Sequence, residues 1–268
     1  MSDYKLYYNP SAGSGRAAKI KAQLDAGTLS INYQLSTINY IVIGGDGTLN
    51  TLLNELLHPE DYTFLLLPAG TSNSLAHSLI DNHSSLIDIW QLETNNRTYR
   101  FINEASVGFA ASIAREVEQR KTKRFFNRIH LNELAYIATA FRCWFTDKPY
   151  FLSLCNNRRI SGDLYPCVNA DFADNWLDTY ELDCPRWRLP FELLKLLRAK
   201  KDKPSPFVSR NRLQEAEWFF ETPLPVEIDG NPLPPTTHIR LSRYPQQVRV
   251  ISLRTTPTTG TSSRKTYI

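Results

Sequence analysis

Within its first 80 residues the chain three times ends an apolar, strand-like run in a glycine-bearing bend and then resumes with helical spacing. Residues 5–8 lead through Asn9-Pro10-Ser11-Ala12-Gly13-Ser14-Gly15 into Ala17, Ile20, Ala22 and Leu24. Ile41-Val42-Ile43 stops at Gly44-Gly45 and is followed by Leu49, Leu52, Leu53, Leu56 and Leu57. Residues 64–67 give way to Pro68-Ala69-Gly70-Thr71-Ser72-Asn73 and a helix expected over 72–79. Successive strand-bend-helix units predict a parallel α/β lobe with residues 5–8 as a buried strand. The bends of such a lobe gather at the carboxyl ends of the strands, where ligands bind.

Beyond residue 98 the pattern changes. Short β-rich segments at 150–155, 164–168, 226–229, 238–242 and 248–252 predict a second, mainly antiparallel lobe. Helices are expected over 131–144 and 191–199, and the Thr-, Ser- and Gly-rich stretch 255–268 reads as disordered. The expected organisation is an α/β lobe over 1–98, a β-rich lobe over 99–254 and a tail.

No apolar run approaches the roughly 20 residues that cross a bilayer. The start, Met1-Ser2-Asp3-Tyr4-Lys5, lacks the features of a secretory signal, so the expected location is the cytoplasm. A net charge of +4 is too small to argue for nucleic acid and suits an anionic lipid surface equally well. Cys143, Cys155, Cys167 and Cys184 fit neither a zinc ribbon nor a CxxC pair and read as buried thiols.

The chemistry lies in the bends. Gly44-Gly45-Asp46-Gly47-Thr48-Leu49-Asn50 sits between a buried strand and a helix, where glycines let backbone amides approach a phosphate. A plain tight turn with a helix cap would look the same in isolation, but the bends at 9–15 and 68–73 open on the same sheet edge. Together they form one cradle. It is neither a Walker A loop nor a GxGxxG fingerprint, so no P-loop lysine holds the phosphates.

NPSAG, GGDGTLN and PAGTSN, in this order and on these elements, resemble the catalytic domain of the diacylglycerol kinase and sphingosine kinase superfamily. The resemblance continues through Phe101-Ile102-Asn103 and Gly108-Phe109 to Ile228-Asp229-Gly230. It implies an ATP-binding α/β lobe, a β-sandwich lobe, and Mg²⁺-assisted phosphoryl transfer to a lipid hydroxyl in the cleft between them. Carried over by position, Asn9, Pro10, Ser11, Ala12, Gly13, Thr37, Gly44, Gly45, Asp46, Gly47, Thr48, Leu49, Asn50, Gly70, Thr71 and Asn73 are implied ATP contacts. Asp46, Asp88 and Asp229 are the implied active-site acids. Asp174, with the carbonyls of Asp171 and Trp176, resembles the family's structural Mg²⁺ site, although Asn175 stands where the family has Gly.

The pattern breaks in several places. Thr51 and Ser74 replace acids, and Asn231 stands where the motif's glutamate is the usual general base; an amide cannot accept that proton. The task then falls to Asp46 or Asp229, or activity is weak. The helical crossover expected before GGDGT has no room between Thr37 and Tyr40, and another helix is missing between Leu79 and Asp88. Arg115, Arg120, Lys121, Lys123, Arg124 and Arg128 beside Phe125-Phe126 read as a membrane-docking face or a solvated loop, and 195–203 is a second basic stretch. Three readings stay open: a lipid kinase at the inner membrane face, a non-catalytic nucleotide- or lipid-binding relative, and an NAD kinase-like enzyme. The acceptor lipid is not specified, and a homodimer is left open.

Overall fold

The computed structural model describes residues 4–29, 31, 37–79, 83–95, 97–109, 111–112, 150–160, 164–196 and 204–253. The basic-aromatic segment 115–128, the helix expected at 131–144, Cys143 and the tail lie outside them.

Strands β1 (Lys5–Tyr8), β2 (Tyr40–Gly44) and β3 (Thr63–Pro68) run parallel, joined by helices α1 (Arg16–Asp25) and α2 (Asp46–Glu55). β2 is buried throughout, as its unbroken apolar run requires when both faces are covered. α2 lays Leu49, Leu52 and Leu53 against one face of this sheet in a cluster with Val42, Phe64 and Leu66. Ala17 and Ile20 of α1 cover the other face with Ile41, Ile43 and Leu65.

β1 is not the buried strand that its sequence suggested. It is an edge strand paired with β2, and Leu6 and Tyr8 are 36% and 38% exposed. Apolar composition marks a strand, but burial depends on what covers it.

The remaining strands are β4 (Ser84–Thr94), β5 (Thr98–Phe101), β6 (Glu104–Gly108), β7 (Tyr150–Cys155), β8 (Leu177–Asp183), β9 (Val208–Leu213), β10 (Glu215–Ile228) and β11 (Asn231–Ser252). They pair antiparallel in the order β11-β10-β6-β7-β8-β9, with β4 along β11 and β5 on β4. The segment 164–168 is not a strand; its only β feature is a single bridge at Leu164. The runs at 238–242 and 248–252 belong to one strand, β11. That strand leaves β10 antiparallel, follows β4, and ends parallel to β3 through Arg249↔Thr63 and Ser252↔Leu66. One strand therefore runs through both the antiparallel and the parallel regions.

Between Arg243 and Gln247 the register of β11 against β4 slips. Pro245, which has no N–H for the ladder, sits in that slip. The slip is held from β4: Asp88, fully buried, accepts a hydrogen bond from Gln247 Nε2 (2.9 Å) and lies 3.6 Å from the Arg243 guanidinium.

Two further short α-helices are α3 (Ser74–Ser78) and α4 (Leu189–Leu196). α4 buries Leu189 and Leu196 with Ile160, Cys167, Tyr180 and Phe109. Cys155, Cys167 and Cys184 are free, buried thiols. No described helix is long and apolar enough to cross a membrane.

Candidate functional site

The three bends meet. A Cβ on Gly13 would lie 1.8 Å from the Ala69 carbonyl oxygen, and one on Gly70 would lie 2.6 Å from Gly45 Cα. The first bend thus packs on the third, and the third on the second, at distances that only glycine permits. The first bend also holds left-handed angles at Gly13, Ser14 and Gly15 (φ 57°, 59° and 91°). Asn9 shapes its start, its Oδ1 accepting from the Ser11 amide (3.1 Å) and hydroxyl (2.7 Å).

The second bend opens directly into α2. Gly45 is the cap residue and offers no side chain, so no side chain caps the first two amides of α2, those of Asp46 and Gly47, whereas the Thr48 amide donates to the Gly45 carbonyl (3.0 Å). The opposite end of α2 is closed by Arg100, whose guanidinium donates to the carbonyls of Leu53 (3.0 Å), Leu56 (2.7 Å) and Leu57 (3.2 Å). A cation on the carboxyl end and open amides at the amino end suit an anion at the latter.

Asp46, the first residue of α2, turns away from its own helix. Its Oδ2 accepts from the Ser74 amide (2.7 Å) and its Oδ1 from the Leu75 amide (3.2 Å), so it caps α3 and ties the second bend to the third. Desolvation pushes its pKa up to about 6, against the pull of those two amides and the charge of Arg159. Asn73, in left-handed geometry at φ 45°, braces the third bend by donating to the Gly70 carbonyl (2.9 Å). Its Oδ1 is buried without a partner beside Gly45 and Gly70.

Asp229 lies beneath the cradle and is consumed by it. Its Oδ1 accepts from the amides of Asn103 and Glu104, and its Oδ2 from the Ile102 amide and Asn50 Nδ2, all at 2.9 Å. Burial dominates and pushes its pKa up to about 7 despite the backbone donors; the charge of Asp46 adds to the rise. Asn231 is equally committed: its Nδ2 donates to the Gly47 carbonyl and to Asn50 Oδ1, both at 3.1 Å. Asn50 is the junction, linking α2 to both.

Other sequence-expected residues fall elsewhere. Thr37 precedes β2 by three residues, on the end of the sheet opposite the bends, because the shortened connection displaces it from the position that the motif gives it. Asp88 is the β4 residue that braces the slip in β11, and it also accepts from the Asn175 amide (2.7 Å). Asn175 takes the left-handed geometry expected of a glycine (φ 64°). Asp174 pairs with the Arg212 guanidinium and accepts from the Trp176 amide (2.9 Å), while Asp171 accepts from the Ala173 amide (3.0 Å). Arg212 thus supplies the positive charge there. Among the described residues no three His, Cys, Asp or Glu side chains converge to hold a metal. Four N–H donors fill the Asp229 carboxylate, and Asp46, with two, is left as a single carboxylate ligand, so this donor set is too small for a resident Mg²⁺.

Sequence reasoning passed over Glu104. It is 6% exposed, its Oε2 lacks a hydrogen-bond partner, and its pKa is raised well above the carboxylate range by desolvation and then by Glu227, with Asp229 and Asp46 contributing. Its signal was an acid directly after Phe101-Ile102-Asn103, opening a fully buried strand of small and apolar residues and one serine.

Residues 32–98 match the diacylglycerol kinase catalytic domain. Along most of its length the chain is similar to the Bacillus subtilis (strain 168) protein named "Putative lipid kinase YtlR", 21% identical over 81% of this chain and 83% of that one. It is likewise similar to "Probable lipid kinase YegS-like" of Stenotrophomonas maltophilia (strain K279a), 24% identical over 78% and 77%. The family match thus covers the second and third bends, and the named lipid kinases extend the similarity over about four fifths of the chain. Its fold is shared with solved structures. A crystal structure titled as a putative diacylglycerol kinase from Bacillus anthracis str. Sterne superposes with a TM-score of 0.60 at 15% identity, covering 93% of this chain and 96% of that one. Another diacylglycerol kinase structure from that strain gives 0.55 at 17% identity with the same coverage. Against the motifs that it resembles, the chain keeps the three bends and has Asn231 in place of the glutamate.

Proposed function

We propose that the protein is an ATP-dependent lipid kinase that transfers the γ-phosphoryl group of ATP to a lipid hydroxyl. The observation that carries this reading is the packing of the three bends onto one another, with the open amino end of α2 among them. Phosphoryl transfer needs positioning and charge stabilisation more than covalent participation, and amides aimed at the phosphates supply both. Arg159, whose charge reaches Asp46, adds positive charge beside the cradle.

Asp46 is the group assigned to the acceptor hydroxyl. The alcohol oxygen forms a bond to the γ-phosphorus, the bond to the bridging oxygen breaks, ADP leaves with that electron pair, and the hydroxyl proton passes to the Asp46 carboxylate. A base near its operating pH is the efficient choice, and Asp46 at about 6 meets that condition. Asp229, with four donors on its carboxylate, holds the cradle together instead. Magnesium belongs to the incoming nucleotide in this reading.

The protein working at the inner face of a membrane follows from a lipid acceptor. Incubating the purified protein with labelled ATP and a lipid extract tests the proposal. Labelled lipid that disappears in Asp46→Asn supports it, and undiminished labelling in that variant overturns the assignment of Asp46. A non-catalytic relative is the second reading, favoured by the commitment of Asn231 to Gly47 and Asn50. Nucleotide binding without phosphorylation of any lipid would establish it.

A further inference from the structure

Pro185 opens a 3-10 turn over Arg186–Arg188 that runs directly into α4, since Leu189 already has helical angles (φ −49°, ψ −47°). Trp187 and Phe191, four residues apart, fall on one side of this continuous stretch. They are 63% and 59% exposed, among the largest apolar exposures in the described residues. The other side is anchored by Leu189 and Leu196 in the cluster that contains Ile160 and Phe109.

Charge surrounds the aromatic pair. Arg186 is exposed, and the Arg188 guanidinium lies 5.5 Å from the Trp187 ring. Fully buried Glu192 accepts from Lys195 Nζ (2.9 and 3.0 Å) and faces Arg188 Nε at 3.6 Å, fixing both basic side chains at the margin of the exposed face. In sequence the chain continues through Arg198, Lys200, Lys201 and Lys203 with only Asp202 opposing them. Two large aromatics amid basic residues suit an anionic bilayer, with rings at the headgroup boundary and cations on the phosphates. A second copy applied to this face would bring like charges together. The face is also close to the site: the Ile160 carbonyl, beneath α4, accepts the Ser74 hydroxyl at the start of α3.

We propose that the Trp187–Phe191 face of α4 and its preceding turn is the surface by which this protein docks on an anionic bilayer. The idea rests on the lipid-kinase reading for its purpose, but its test does not depend on turnover. The full-length protein is floated with vesicles of phosphatidylcholine alone and with vesicles containing 30 mol % phosphatidylglycerol, as wild type and as Trp187→Ala/Phe191→Ala. Wild type is expected to partition at least tenfold more onto the anionic vesicles, in a salt-sensitive manner. The double variant should lose at least tenfold of that binding while keeping its melting temperature and, in detergent micelles, its lipid phosphorylation within twofold.

Equal vesicle binding by the double variant overturns the proposal, as does wild type that ignores phosphatidylglycerol. A shift from dimer to monomer in the variant, without change in vesicle binding, would assign the face to a second copy and overturn it too. Vesicle docking through this face by a protein that phosphorylates no lipid would sink the kinase reading and leave the docking surface standing.

Discussion

Asn231 holds its amide between two acceptors, the Gly47 carbonyl and Asn50 Oδ1, and neither can donate in return. Restoring the motif glutamate there would set a carboxylate against both. We expect Asn231→Glu to lower stability by about 1–3 kcal/mol, seen in urea unfolding, with no gain in phosphoryl transfer. A rise in turnover would show that the position still accepts a proton. Asp46 makes a second prediction, through its titration. Its folded pKa of about 6 exceeds the ordinary value of 3.8, so the folded state binds the extra proton between these limits. The stability from that proton is present below pH 4 and lost as pH rises through 6. Asp46→Asn should therefore gain on wild type across pH 4–7 by about 2 kcal/mol before the cost of its altered α3 cap, a slope that urea midpoints would read. Under the proposed mechanism wild-type kcat/KM should climb with a midpoint near pH 6.

The bends, as elements, depend on contacts between backbones. Gly70→Ala would drive a methyl to 2.6 Å from Gly45 Cα, where no flexible side chain can yield. The second and third bends must then part, and we expect at least a tenfold loss of nucleotide affinity by calorimetry, with the fold retained. Unchanged affinity would mean that the nucleotide does not use that junction. These bends were legible in the sequence because each is written locally, as an apolar run, a glycine turn and a helical period. The exposed face of β1 was not, because exposure is set by neighbours rather than by Lys5-Leu6-Tyr7-Tyr8 itself. Thr37 was misplaced for a related reason: a motif position was carried across a deletion that moves the chain to the other end of β2. Asp88 was singled out only through the family resemblance, as an active-site acid, because its work at the Pro245 slip depends on a partner strand about 155 residues away.

At the level of the molecule, β11 is the element that no local pattern announced, since its last residues pair with β3 from the opposite end of the sequence. Val248, Val250 and Ile251 complete the clusters on the two faces of the parallel region. We expect residues 1–98 expressed alone to show no cooperative melting transition, whereas adding residues 99–253 restores one. A sharp transition in the short fragment would show that the parallel region is self-sufficient. The same closure has a consequence for synthesis. Ribosomes extend a chain at about 5–20 residues per second, so β3 waits roughly 10 to 40 s between its own emergence and that of its partner in β11. During that interval an apolar sheet edge stands open in a crowded cell, and holding it apart from other nascent chains becomes a job for chaperones.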